Sequence, residues 1–103
     1  MPQSQSVLVI SEKTTCRSTQ KGLEYTGLIS VTAAGKVCQR WDSQTPHTHD
    51  NYNRDSHFPA DGSMQKAKNY CRNPRSSDNV PWCYTTDSNT RWDYCNIPYC
   101  LGT

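Results

Sequence analysis

Six cysteines, at positions 16, 38, 71, 83, 95 and 100, constrain this 103-residue chain more than any other feature. An even cysteine count in a short chain reads as a disulfide framework formed in an oxidising compartment. The rest of the composition demands one. Leu, Ile, Val and Phe number 13 of the 103 residues, below the level of roughly 20% at which a packed apolar core becomes doubtful. Disorder does not follow, because the net charge is only +2 and 10% of the residues are aromatic, so the self-repulsion that keeps chains open is missing. Cross-links must therefore carry stability that a thin core does not supply. The length allows one domain at most. The longest aliphatic run, Val7-Leu8-Val9-Ile10, is far short of the about 20 apolar residues that a membrane span takes. A cofactor-binding α/β enzyme does not suit this composition.

Residues 1–15 lack cysteine and read as a linker or the trailing edge of a preceding domain, with Met1 as an added start. They do not read as a signal peptide, since Met1 to Ser6 has no Lys or Arg and the apolar run stops after four residues. Val7 to Ile10 is compatible with a short surface strand or with a frayed terminus. Residues 16–100 form the domain and 101–103 a C-terminal tail. Prolines at 46, 59, 74, 81 and 98 and glycines at 22, 27, 35 and 62 break every helical window, so loops and short strands are expected. The best hairpin pairs Trp82 to Thr86 with Arg91 to Cys95 around the turn-prone Asp87-Ser88-Asn89-Thr90, and Leu28 to Thr32 is a weaker strand. No asparagine stands in a glycosylation acceptor sequence.

Two readings of the cysteines compete. Zinc modules bring ligands in close pairs, whereas the separations here are 22, 33, 12, 12 and 5, which favours three disulfides over a metal site. Six cysteines admit fifteen pairings, and spacing alone does not choose among them.

The words between the cysteines resemble those of the kringle family. Asn69-Tyr70-Cys71-Arg72-Asn73-Pro74, Pro81-Trp82-Cys83-Tyr84-Thr85-Thr86 and Tyr94-Cys95-Asn96-Ile97-Pro98-Tyr99-Cys100 are similar to that family's NYCRNP, PWCYTT and YCxIPxC. Tyr25-Thr26-Gly27, Cys38-Gln39-Arg40-Trp41 and Ser43-Gln44-Thr45-Pro46-His47 match its earlier stretches, so the resemblance covers about 85 residues. It implies a small disulfide-rich fold, mostly loops with short antiparallel β-strands, and the pairing Cys16–Cys100, Cys38–Cys83 and Cys71–Cys95. Asp50 to Asp55 and Asp61 to Lys68 look longer than the family's pattern and are expected to be surface loops. Closing the Cys16 to Cys100 loop is worth roughly 4–5 kcal/mol in the chain-entropy model, comparable to the whole stability of a small domain.

The resemblance implies a non-catalytic, extracellular binding module, secreted or part of a receptor ectodomain. Its trough takes a lysine-like zwitterion: an acidic pair holds the ammonium, aromatic walls the methylenes, a cation the carboxylate. Trp82 and Trp92 match the walls, Tyr84 lies beside them and Arg91 matches the cation, although Arg91 also has Asp93 as a neighbour for pairing. Trp41 reads as core, and Trp82, Trp92 and Tyr84 as partly structural. The acidic pair departs from the pattern: Arg75 and Ser77 occupy its two positions. A charge-assisted hydrogen bond is worth about 1.5–3 kcal/mol and a like charge at ~4 Å costs roughly 1–4 kcal/mol. Cation–π contact returns only about 0.5–2 kcal/mol. Free lysine is therefore expected to bind weakly or not at all, and the alternative is a lysine site rebuilt on Asp78. Lys66, Lys68, Arg72 and Arg75 fall within ten residues that hold no acid, a candidate site for sulfated glycan or an acidic protein patch. Nucleic acid, cofactor and resident metal are not indicated. His47, His49 and His57 only superficially match the paired histidines of small nucleases. His47 and His49 together make a weak metal site, and no serine-protease word occurs. Pro46-His47-Thr48-His49 together with Ile29-Ser30-Val31-Thr32 is similar to the kringle of receptor-tyrosine-kinase orphan receptors, while Trp82-Cys83-Tyr84-Thr85-Thr86-Asp87 suits the plasma-protease branch equally.

Overall fold

A computed structural model describes residues 15–101. Its centre is a pair of crossed disulfides, Cys38–Cys83 and Cys71–Cys95, with the Cys38 and Cys71 sulfurs 3.8 Å apart. The third bridge, Cys16–Cys100, joins the two ends. These are the three bonds implied by the resemblance. All four central sulfurs lie within 4.8 Å of one another, and because each is bonded to its partner they offer no thiolate to a metal.

Regular structure is sparse, as the proline and glycine spacing requires. Among the described residues, strand β1 (Trp82–Tyr84) pairs antiparallel with β2 (Trp92–Tyr94), in the register Trp82 to Tyr94 and Tyr84 to Trp92. Both fall inside the segments expected for the hairpin. Asp87 closes the turn, its carboxylate accepting from the Asn89 N–H at 2.8 Å and its carbonyl from the Thr90 N–H at 3.0 Å. β1 is buried along its whole length and carries one cysteine of the inner knot, whereas β2 faces solvent. The weaker strand expected over Leu28 to Thr32 is reduced to one bridge, Val31 to Val37. The possible strand at Val7 to Ile10 lies outside the described residues.

The core is aromatic rather than aliphatic. Trp41 meets Phe58 and Trp82 at 5.1 Å and Tyr84 at 6.0 Å, and its indole N–H donates to the Tyr70 carbonyl at 2.8 Å. Burying large rings with their polar ends satisfied supplies the apolar area that so few aliphatics cannot. Tyr25, fully buried, lies so close under Gly27 that a Cβ there would collide with its ring.

The two long stretches are more than surface loops. Tyr52, from the first, packs against the core with its ring 5.5 Å from Trp82. The second holds α1 (Met64–Ala67), capped by the Ser63 hydroxyl accepting from the Lys66 N–H, with Ala67 fully buried. Short apolar contacts of this kind leave no periodic signal in a four-residue element.

Candidate functional site

The segment between Asn73 and Trp82 determines what packs beside the hairpin. Asn73 staples it: the amide donates to the Asp78 carbonyl at 2.8 Å, and the amide oxygen accepts from the Asp78 N–H at 3.0 Å. Ser77 and Asp78 are thereby held against the hairpin, and they line a cleft of about 250 Å³ together with Trp82, Tyr84, Trp92, Asn51, Tyr52 and Arg91.

Trp92 is the outer wall, 41% exposed, with its ring 5.9 Å from that of Trp82. Trp82 itself is 4% exposed and belongs mainly to the core. Tyr84 forms the floor, with the His49 ring stacked parallel at 4.7 Å and the Arg91 guanidinium 5.1 Å from its ring centre. Burial raises the Tyr84 phenol above its ordinary value, partly offset by the charge of Arg91. Arg91 forms no ion pair with Asp93.

Asp78 is the carboxylate of this cleft. Its Oδ1 accepts from the Asn79 N–H at 2.8 Å and from the Tyr94 hydroxyl at 3.1 Å, and that second bond raises the Tyr94 phenol. Ser77 Oγ accepts from the Trp82 indole N–H at 3.1 Å.

Two expectations need correcting. Arg75, expected in the trough, lines the neighbouring cavities instead. Its backbone is left-handed at φ +58°, and its guanidinium donates to the Asn51 carbonyl at 3.4 Å. Arg72, expected in an exposed basic cluster, is buried and paired with Asp61, so of that cluster Lys66, Lys68 and Arg75 alone stand exposed. The charge that captures Arg72 comes from eleven positions earlier, outside the acid-free window. Asn51 and Tyr52 were missed; the aromatic within an otherwise polar loop was the available signal.

The histidines hold the scaffold. His47 donates through Nε2 to the Asp87 carbonyl at 2.9 Å, and His49 through Nε2 to the Ser43 carbonyl at 3.0 Å. Those nitrogens are committed to separate carbonyls rather than converging on a shared ligand. His57 sits in a short 3₁₀ turn, Asp55–His57.

A disulfide knot presenting an aromatic trough with a carboxylate and an arginine, all on loops and one hairpin, defines a small binding module. The kringle-domain family model matches residues 16–100, and the chain belongs to the kringle family. A human protein described as "Putative apolipoprotein(a)-like protein 2" is 47% identical over 79 residues, 77% of this chain and 55% of that protein. The chain thus spans about half the length of that curated relative. Kringles are protein-interaction modules of typically extracellular proteins. None of the described helices is long and apolar enough to cross a membrane.

Proposed function

We propose that this kringle is a non-catalytic extracellular interaction module that binds a protein partner across the trough, with little affinity for free lysine. The observation that carries this reading is the state of Asp78. Among the described residues it is the one carboxylate lining the trough, and its Oδ1 already accepts two hydrogen bonds. An ammonium group held by one partly occupied carboxylate gains much less than one held by two, since each charge-assisted bond is worth about 1.5–3 kcal/mol. Arg75 is exposed and lines the next cavity, so solvent weakens its repulsion of an ammonium in the trough. Binding of a sulfated glycan through the basic cluster loses support with the burial of Arg72.

The test is an NMR titration of the oxidised chain with 6-aminohexanoic acid, following the indole signals of Trp82 and Trp92, with Trp41 as the buried reference. Saturation only above ~1 mM is expected, equivalent to about 4 kcal/mol of binding. Saturation below ~0.1 mM overturns the reading and establishes a lysine site built on Asp78.

A further inference from the structure

We infer that a second ligand cleft adjoins the trough and takes a carboxylate of an acidic protein segment, through Arg54 and Arg75. This deepens the reading above, on which it rests for the position of the trough. Loop 50–57 and Arg75 enclose an open polar cavity of about 510 Å³, and Asn51 lines both this cavity and the trough, making them neighbours. Among the described residues the ion pairs are Lys36–Asp87, Arg40–Asp42 and Arg72–Asp61. Arg54 and Arg75 enter none of them, so two arginines line one cavity with no carboxylate bound to either, Arg75 donating to the Asn51 carbonyl at 3.4 Å. The His57 ring on the cavity wall registers both: burial lowers its pKa below the ordinary value, and the charges of Arg75 and then Arg54 lower it further.

The geometry limits the kind of anion. A guanidinium presents a planar fork of donors that matches a carboxylate with two parallel bonds, and Asn53 and Ser56 add polar groups to the wall. Asp50 also lines the cavity, so the two arginines are left with a net charge of one. That suits a single carboxylate better than the dense charge of a sulfated glycan, which requires an extended basic stripe. Asp50 further borders the adjoining space in front of Arg91, so an acidic segment leaving the cleft meets a third arginine.

The experiment titrates the oxidised chain with the peptide acetyl-Gly-Glu-Gly-Glu-Gly-amide, reading the guanidinium Nε–H signals of Arg54 and Arg75. Saturable shifts at both are expected at ~1–10 mM, the range of a few charge-assisted bonds. The same peptide with glutamine in place of glutamate should leave them still. Arg54→Gln should weaken glutamate-peptide binding about tenfold, while the response of Trp92 to 6-aminohexanoic acid stays unchanged. Equal responses to the two peptides, shifts that arise only with a heparin tetrasaccharide, or unaltered affinity in Arg54→Gln would each overturn the inference. Failure of the trough alone would show instead in the 6-aminohexanoic acid titration.

Discussion

Asp61 and Arg72 form a two-pronged ion pair inside the protein, Oδ2 to Nε at 2.8 Å and Oδ1 to Nη2 at 2.9 Å. Both side chains are more than nine-tenths buried. The remaining guanidinium nitrogen donates to the Gly27 and Cys71 carbonyls, and the group lies 5.3 Å from the Tyr25 ring centre and 5.2 Å from that of Tyr70. Removing one partner strands a buried charge, which typically costs about 3–5 kcal/mol. Asp61→Asn is therefore expected to lose about 3 kcal/mol in guanidinium chloride unfolding. Arg72→Lys should also be destabilised, because an ammonium cannot reproduce the fork. A loss below ~1 kcal/mol for Asp61→Asn would mean that the pair is replaceable by neutral hydrogen bonds.

The disulfides should open in order. The four central cysteines and Cys16 are buried, whereas Cys100 is half-buried and is the one bridged sulfur open to attack. A thiolate attacks the bridge that it reaches first. Limited dithiothreitol is expected to open Cys16–Cys100 before the others, leaving a marginally stable species, weakened by about 4–5 kcal/mol in the chain-entropy model, that keeps the shifted indole signal of Trp41 only while the two inner bridges hold the core. Full reduction should unfold the chain. Mass-spectrometric mapping of alkylated cysteines alongside NMR checks both steps, and a fully reduced protein that stays folded would contradict the account of its stability.

Glu24 predicts part of the acid behaviour. Burial pushes its pKa up, but hydrogen bonds from the Ser18 N–H at 2.6 Å, the Thr19 hydroxyl at 2.9 Å and the Thr19 N–H at 3.4 Å prevail and hold it below the ordinary glutamate value. A carboxyl depressed by folding adds stability that is complete above its unfolded pKa and is lost as the pH falls through its folded pKa. Glu24→Gln should then be less stable than the parent at neutral pH and converge with it in acid. Thermal unfolding at both ends of that range decides the matter, and a difference that does not change with pH would exclude this carboxylate.

The sequence reveals the parts of the fold set by covalent and aromatic chemistry. The cysteine words imply the three bonds, the paired aromatic segments mark β1 and β2, and Trp41 reads as core, which it is. What it conceals depends on distance along the chain. Arg72 looks exposed because its local window has no acid, and only folding brings Asp61 to it. Arg75 looks like a trough residue because it stands at an acid position, but a left-handed backbone in a non-glycine residue cannot be read from residue type. α1 had a local signal, Ser63 three residues before Lys66 and followed by helix-favouring Met, Gln, Lys and Ala. It was hidden by its brevity.

Ser77 is the position at which the trough can be changed most directly. Its Oγ borders the cleft and already accepts the Trp82 indole N–H, so an aspartate there keeps an acceptor for the indole and adds a second negative charge beside Asp78. One further charge-assisted bond is worth about 1.5–3 kcal/mol, or roughly ten- to a hundredfold in affinity. Ser77→Asp should tighten 6-aminohexanoic acid binding by that factor. Arg75→Asp, acting from the next cavity, should gain no more than about threefold, because solvent screens a charge at that remove. An unshifted Trp41 indole signal certifies that each variant is folded. If Arg75→Asp gains more than Ser77→Asp, the electrostatics of the trough are governed from the loop and the positions of Ser77 and Asp78 do not set its selectivity.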